Sequence, residues 1–296
     1  MSGRVPDRPL AGVVWMLVTG VMFVAVTATV KHLGDRVPPA EAAFLRYLLG
    51  LVFLVPMVRQ IRATRFTRRR TALFAGRGML HAVGVILWFY AMTQIPLAEV
   101  TALNYLSPVY VSLGAAIFLG ERFSWPRGIA IVCALIGVLL IVRPGFREIS
   151  PGHLAMMGTA VLFAGSYLIA KVMTDEVSPA TVVAMLSVWT TLGLAPFAVS
   201  VWVWPSPSEL GWLFMVATFA TVGHFTMTLA FQAAPISVTQ PVTFLQLVWA
   251  TLLGWAVFGE GVDGFVLSGG AIIIGSVVAI SIREARKKVR TPPVAP

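Results

Sequence analysis

Residues 12–40 read GVVWMLVTGVMFVAVTATVKHLGDRVPPA, and residues 152–180 read GHLAMMGTAVLFAGSYLIAKVMTDEVSPA. The two stretches align without a gap at an offset of 140 residues. Apolar composition does not explain the pairing of Lys31 with Lys171, Asp35 with Asp175, or Pro39 with Pro179. At an offset of 139, Pro96 pairs with Pro235 and Gly120-Glu121 with Gly259-Glu260. The chain is therefore predicted to contain two repeats, at 1–147 and 148–284, followed by a basic cytoplasmic tail at 285–296.

The composition predicts that both repeats lie in a membrane. Of the 296 residues, 58% are hydrophobic and 11% charged, whereas a soluble domain typically has about 25% charged residues. This deficit excludes a soluble enzyme, a disordered chain and a nucleic-acid-binding domain, so the expected partners are the lipid bilayer and a small molecule. The single Cys133 lies in an apolar run. It can supply neither an intramolecular disulfide nor a metal cluster, and no metal or other cofactor is expected.

Apolar runs divide the chain into predicted membrane spans. Crossing about 30 Å of hydrocarbon takes about 20 residues of helix. Pro96 and Pro235 interrupt two runs that would otherwise be too long for one crossing. The predicted fold is an all-α integral membrane protein with ten spans, at 10–30, 41–58, 72–93, 96–119, 127–143, 152–173, 179–203, 209–231, 235–258 and 264–282.

The basic residues set the expected orientation of these spans. If ten spans alternate in direction, 16 of the 22 Lys and Arg residues fall on the side of the N-terminus and 4 on the other side. Positively charged loops stay in the cytoplasm, so both termini are predicted to be cytoplasmic. A repeat of five spans enters the membrane from opposite faces in its two copies. Inverted repeats of this kind build many secondary transporters, which bind substrate near the midplane between the halves.

Polar side chains inside the spans are candidate cavity residues, because in hydrocarbon they need a partner or water. His81 in span 3 and His224 in span 8 are expected at similar depth, facing one another across a cavity. They can bind substrate or take up a proton, or donate to a neighbouring helix carbonyl as packing contacts. The predicted cavity set also includes Trp88, Asn104, Tyr105, Ser166, Thr228, Thr243 and Gln246.

Two arginines also fall within spans. Arg77 is expected to extend its side chain to the lipid headgroups, and Arg46 to do the same or to pair with Glu41. Both are therefore assigned structural roles.

Prolines are predicted to interrupt one span in each half. Proline has no N–H, so Pro108 frees the carbonyl of Asn104 and Pro241 frees that of Ser237. Interruptions at corresponding places favour a transporter site, and a kink that only improves helix packing is the alternative.

Small residues recur on spans 5 and 10. The pairs Ala130/Ala134 and Ala271/Gly275 allow close approach of helix backbones. They predict either contacts within the chain or a homodimer through these spans.

The motifs resemble those of the EamA-type, ten-span members of the drug/metabolite transporter superfamily. The matching segments are Phe44-Leu45-Arg46-Tyr47, Leu106-Ser107-Pro108-Val109, Gly120-Glu121-Arg122, Phe163-Ala164-Gly165-Ser166-Tyr167, Gly259-Glu260 and Gly269-Gly270. The resemblance implies an exporter in a bacterial inner membrane, with a central cavity lined by spans 1, 3, 4, 6, 8 and 9. It further implies that the substrates are amino acids, aromatic ones among them, or related metabolites.

The acidic residues favour a mechanism without ion coupling. Glu99 reaches about one turn into a span, and no carboxylate lies at the predicted midplane. We therefore expect uniport-like alternating access, in which the two halves rock about the cavity. A proton-coupled drug or metabolite exporter using His81 or His224 remains an alternative. From another class, an intramembrane lipid-modifying enzyme is also possible in principle, but the four histidines form no recognisable catalytic motif, so no catalytic residue is predicted.

Overall fold

The computed structural model describes residues 9–118, 125–143, 146, 148–174, 176–233, 242 and 245–290. These residues form helices and no strand, which confirms the predicted all-α class for this part of the chain. The helices are α1 (Pro9–Leu33), α2 (Pro39–Gly50), α3 (Val58–Ala63), α4 (Arg68–Gln94), α5 (Leu97–Asn104), α6 (Leu106–Phe118), α7 (Trp125–Val142), α8 (Pro151–Thr174), α9 (Pro179–Ser200), α10 (Pro207–Ala233), α11 (Leu245–Phe258) and α12 (Gly264–Arg290). A 3₁₀ segment, Leu51–Met57, joins α2 to α3.

The helices are those of a multi-pass membrane protein. Within the described residues, six segments are long and apolar enough to cross a bilayer: Leu10–Leu33, Pro39–Pro56, Arg68–Gln94, Pro151–Ala170, Ala180–Ser200 and Pro207–Met227. Shorter apolar helices lie at Ile131–Val142, Leu245–Phe258 and Gly264–Ser276. The total of ten spans stays a prediction.

The helix boundaries follow local sequence signals. α4 ends at Gln94 and α5 begins at Leu97, so the chain breaks around Pro96 as predicted. Proline occupies the first turn of α2 and of α9, where its missing N–H costs no helical hydrogen bond. At the start of α9, Ser178 Oγ also accepts a hydrogen bond from the backbone N–H of Thr181 at 3.2 Å.

α1 packs against α10 in an antiparallel pair. The Oγ1 atoms of Thr19 and Thr226 lie 2.8 Å apart. The His32 and Trp212 rings lie 4.8 Å apart. His32 comes after Thr19 on α1, whereas Trp212 comes before Thr226 on α10. Two ends of the helix bundle can therefore be named: the near end, where α1 begins, and the far end, where α1 finishes.

The same antiparallel arrangement joins α4 to α8. Thr159 Oγ1 donates to the carbonyl of Gly84 at 3.2 Å. His81, one turn before Gly84 on α4, contacts Ser166, two turns after Thr159 on α8. The two helices therefore run in opposite directions. α2 packs on α9, α7 on α12 and α5 on α11. This packing places α2, α4 and α8 around one group of buried polar side chains.

Glycines allow α7 and α12 to cross closely. A Cβ atom added to Gly137 would lie 2.6 Å from the carbonyl oxygen of Gly269 and 2.7 Å from Cγ1 of Ile273. These helices therefore use small residues for a contact within the chain. Ala271 and Gly275 lie on an exposed face of α12.

We predict that Gly137→Ala destabilises the protein by about 1–3 kcal/mol, because the added methyl group has no room between the two backbones. Thermal unfolding in detergent measures the effect. Gly275→Ala is the matched control, because a Cβ atom there meets nothing within 4 Å. Equal unfolding midpoints for the two variants would contradict the close crossing.

Candidate functional site

A buried histidine lies at the centre of the described helices. His81 Nε2 is 2.9 Å from the Tyr47 hydroxyl, and His81 Nδ1 is 3.4 Å from Ser166 Oγ. The imidazole stacks on the Phe163 ring, with centroids 4.6 Å apart and planes at 19°. Trp88 meets Phe163 edge-on at 6.1 Å. We call Tyr47, His81, Trp88, Phe163 and Ser166 the central cluster.

Helical spacing explains how the central cluster forms. Phe163 and Ser166 are three residues apart on α8, so they share one face of that helix. His81 lies midway along α4, about 20 Å from each end at 1.5 Å per residue. The antiparallel packing of α4 on α8 brings these two faces together. The sequence had predicted cavity positions for His81, Trp88 and Ser166, and the structure places all three in this cluster.

Tyr167 indicates that the cluster borders open space. Its side chain lies 6.1 Å from the Phe163 ring and interacts electrostatically with Arg77 and Tyr47. Nevertheless, 43% of its surface is accessible, while Phe163, Ser166 and Arg77 are buried. Tyr167 therefore connects the buried cluster to the accessible surface of the described helices.

The two arginines depart from the expectation that they reach headgroups. Arg46 is 6% exposed and Arg77 is 5% exposed, so both are buried. Arg77 Nη1 donates to the Val182 carbonyl at 2.9 Å. The Arg46 guanidinium lies over the Tyr47 ring, 4.2 Å from its centroid.

The predicted pair between Arg46 and Glu41 is also not formed. Glu41 Oε2 instead accepts a hydrogen bond from the backbone N–H of Val203 at 2.8 Å. This contact links the start of α2 to the residues that follow α9.

His224 interacts with His81 of the central cluster and with the two buried arginines beside it. Its ring meets Phe23 edge-on at 5.1 Å, and it interacts electrostatically with Arg46, Arg77 and His81. The two histidines predicted to share a cavity are thus close enough to affect each other. Their role in substrate binding stays a prediction.

Three further residues predicted to line the cavity lie around α5 and α11. Asn104 ends α5 and is partly buried, and its Oδ1 has no hydrogen-bond partner among the described residues. The buried Tyr105 hydroxyl contacts the backbone of Leu247. Gln246 Cγ packs against Gly20 of α1. The side chain of Thr228 falls outside the described part of the chain, as do Thr243 and Pro241.

The interruption predicted near Pro108 lies one turn earlier along the chain. α5 ends at Asn104 and α6 begins at Leu106, so the backbone departs from α-helix at Tyr105. This is the turn in which a proline at position 108 cannot donate to the carbonyl of Asn104.

Ion pairs at the far end join the first half of the chain, residues 1–147, to the second half, residues 148–284. Lys31 Nζ lies 2.5 Å from Glu260 Oε1 and donates to the Ile95 carbonyl at 3.0 Å. Glu260 Oε2 accepts a hydrogen bond from the Leu97 N–H at 3.0 Å. Further cross-repeat pairs join Arg36 to Glu209 and Arg143 to Asp263. We call these pairs and the Glu99–His153 pair described next the far-end contacts.

Glu99 and His153 form a buried pair that the sequence analysis missed. His153 Nε2 lies 2.6 Å from Glu99 Oε2, and each residue is 3% exposed. An open cavity of about 820 Å³, lined in part by Glu99, Arg143 and Asp263, adjoins the pair. Glu99 and His153 each lie in the first turn of a helix that begins with or just after proline at the far end. That shared position was the available sequence signal.

The near end carries a smaller set of pairs among the described residues. Glu176 Oε1 lies 2.5 Å from Arg69 Nη1, and Glu176 Oε2 lies 3.0 Å from Arg70 Nε. Hydrogen bonds from Arg69 and then Arg70 hold the pKa of Glu176 below its usual value. The carboxylate is therefore ionised over the physiological range.

We predict that Glu99→Gln and His153→Gln each lower the free energy of unfolding by about 3 kcal/mol, because either change leaves a buried partner uncompensated. The double variant should be less destabilised than the sum of the two single variants. A double-mutant cycle measured by thermal unfolding tests this coupling. Strict additivity would show that the two side chains do not interact.

The EamA-like transporter family matches the chain twice, over residues 10–143 and 150–282. The chain belongs to this family. The resemblance drawn from the motifs is thereby confirmed, and the predicted transport function agrees with membership of a transporter family.

Named relatives cover nearly the whole chain. A riboflavin transporter of Rhizobium johnstonii is 29% identical over 291 residues, which cover 96% of this chain and 95% of the relative. An S-adenosylmethionine uptake transporter of Rickettsia conorii is 27% identical over 277 residues, which cover 94% of each chain. A pseudopaline exporter of Pseudomonas aeruginosa is 27% identical over 280 residues, with 93% and 97% covered.

A solved structure titled "Crystal structure of protein" has the same fold. Its TM-score is 0.60 at 22% sequence identity, and the match covers 93% of this chain and 97% of that chain. The likeness concerns the arrangement of helices alone.

Proposed function

We propose that this EamA-family protein is an alternating-access carrier for a small metabolite with a planar aromatic group, bound at the central cluster. The observation that carries the proposal is the arrangement of His81. It is stacked on Phe163 and hydrogen-bonded by Tyr47 and Ser166, halfway along α4. Trp88 and Tyr167 extend the aromatic surface on either side. Such rings favour flat, apolar ligands with polar edges.

The relatives support the aromatic part of this proposal. Riboflavin and S-adenosylmethionine, which name two of them, both contain a flat heteroaromatic ring system. Aromatic amino acids, expected from the resemblance, have the same feature and remain candidate substrates. Amino acids as a class have less support, because the named relatives carry other metabolites.

Helix bounds and packing support an inverted repeat of two five-span halves, at 1–147 and 148–284. Moving the bounds of α4 along by 139 residues gives 207–233, which are the bounds of α10. In the same way, α8 in the second half corresponds to α1 in the first half. The packing of α1 on α10 therefore corresponds to the packing of α8 on α4, and both pairs are antiparallel. The two family matches fall on the two halves. Ten spans would then place both termini on one side of the membrane.

The contacts between the halves support alternating access. The far-end contacts each join one half to the other, so a rocking motion that opens the far end must break them. We propose that the far end faces away from the cytoplasm in a bacterial inner membrane. The positions of the basic residues support this orientation. Export then follows the substrate gradient, without ion coupling.

A homodimer through spans 5 and 10 is a further part of the proposal. The exposed positions of Ala271 and Gly275 on α12 leave that face available.

Transport by purified protein in sealed vesicles tests the proposed substrate class. Labelled riboflavin, S-adenosylmethionine and tryptophan are offered in turn, and we expect at least one to cross faster than into protein-free vesicles. Trp88→Ala should slow that transport by about tenfold through lost stacking. Trp255→Ala is the matched control, because Trp255 is an exposed residue on α11. Equal loss in both variants, or none, would contradict the proposed site.

A pH gradient across the same vesicles separates uniport from proton coupling. We expect the gradient to leave the final distribution of a neutral substrate unchanged. Accumulation that disappears in His81→Gln or His224→Gln would instead establish the proton-coupled alternative.

Loss of the Lys31–Glu260 pair should favour the state that is open at the far end. In a Cys133→Ser background, Ser166→Cys places a reporter thiol in the central cluster. A membrane-impermeant thiol reagent added from the far side should label it several times faster when Glu260 is changed to Gln, because one far-end contact is lost. An unchanged labelling rate would show that this pair does not control access.

A further inference from the structure

Two permanent positive charges lie buried beside the central cluster without a compensating carboxylate among the described residues. The His81 imidazole interacts electrostatically with both Arg46 and Arg77, as does that of His224. Arg46 and Arg77 make no ion pair with any described residue. Burying an unpaired charge is costly, and most of all in a membrane.

The acidic side chains are engaged elsewhere. Among the described residues, those with a partner are Glu41, Glu99, Glu176, Glu209, Glu260 and Asp263, each bound to a group other than Arg46 or Arg77. Asp35 and Glu148 are exposed outside the helices, and the side chain of Glu284 falls outside the described part of the chain. The protein therefore supplies no counter-charge to the central arginines from this part of the chain.

The two guanidinium groups retain donors for a ligand. Arg77 gives one hydrogen bond to the Val182 carbonyl, and its buried Nε has no hydrogen-bond partner among the described residues. The Arg46 guanidinium carbon lies over the Tyr47 ring, and its N–H groups form no ion pair with a described residue. A planar fork of N–H groups matches the oxygens of a carboxylate or a phosphate.

We propose that Arg46 and Arg77 form a binding site for an anionic group of the substrate, either a carboxylate or a phosphate. This inference rests on the proposed function, because the aromatic part of the same substrate would lie against Phe163 and Trp88. The substrate supplies the negative charge that the described residues do not provide. A neutral or cationic aromatic compound leaves both arginines uncompensated and is transported poorly.

The positions of the two arginines fit a path across the membrane. Arg46 lies about 10 Å along α2 from the far end, and Arg77 lies about 14 Å along α4 from the near end. Arg46 lies over Tyr47, which hydrogen-bonds His81, and Arg77 lies one turn before His81 on α4. The anionic group can therefore move from one arginine to the other past His81 as the halves rock. Its charge is compensated along this part of the path.

A structural role for these arginines makes the opposite prediction about stability. Losing a charge that only holds helices together lowers the unfolding midpoint, as expected for Arg143→Gln because Arg143 pairs with Asp263. Losing an uncompensated charge raises the midpoint or leaves it unchanged. We expect the second result for Arg46→Gln and for Arg77→Gln in detergent without added ligand.

Thermal unfolding with simple anions tests the site without requiring a known substrate. Sodium phosphate and sodium acetate are compared with chloride at equal ionic strength, for the parent protein and each variant. We expect phosphate, acetate or both to raise the parent midpoint more than that of either arginine variant. Arg62→Gln, at an exposed position of α3, controls for general salt effects and should behave as the parent. Equal anion effects in all variants, together with destabilised Arg46→Gln and Arg77→Gln, would overturn the proposal.

Transport of matched pairs then identifies the anionic group. Tryptophan is compared with tryptamine, which lacks the carboxylate, and riboflavin 5′-phosphate with riboflavin. We expect the acid-bearing member of at least one pair to cross about tenfold faster, as the loss of a hydrogen bond to a charged group predicts, and either arginine variant to remove that preference.

Equal rates within both pairs, unaffected by the arginine variants, would overturn the anion site while leaving the carrier function intact. Arg-dependent stabilisation by anions with no transport of these compounds would instead support the site and count against the proposed substrate class.

Discussion

The antiparallel contact between α4 and α8 is the interaction on which the candidate site depends. It places the middle of α4, with His81, against Phe163 and Ser166 of the second half. Gly84 makes the contact possible, because a Cβ atom there would lie 2.8 Å from the Phe163 ring. A polar histidine is thus held among aromatic rings, with hydrogen bonds that satisfy both ring nitrogens. The site is therefore built from residues of both halves of the chain.

The described structure has more inter-half pairs at one end than at the other. At the far end, charged side chains from loops and helix ends meet across the two halves, and the buried Glu99–His153 pair adds to them. At the near end, the described pairs are those of Glu176 with Arg69 and Arg70. Such a distribution suits a conformation that is closed at the far end. Ion pairs are suitable gates because water compensates each charge once the pair separates.

The sequence allowed the helical class and the break at Pro96 to be predicted. It also singled out His81, Trp88 and Ser166, which the structure places together, and their role in a cavity stays a prediction. Apolar runs and helical spacing are local properties, and they determine which residues share a helix face. The burial of Arg46 and Arg77 could not be derived in this way, because distance from a helix end says nothing about the neighbouring helices. The Glu99–His153 pair was missed for the same reason: 54 residues separate the partners, and only packing brings them together. Thr243 and Pro241 lie outside the described residues, so their predicted roles stay predictions.

Locating a bound substrate tests most directly whether the central cluster is the binding site. Crystals of the protein with a brominated derivative of a transported aromatic compound would locate the bromine by its anomalous scattering. We expect bromine density against the Trp88 and Phe163 rings, beside His81. Density confined to the far-end cavity beside Glu99 and Arg143, with none at the central cluster, would contradict this expectation.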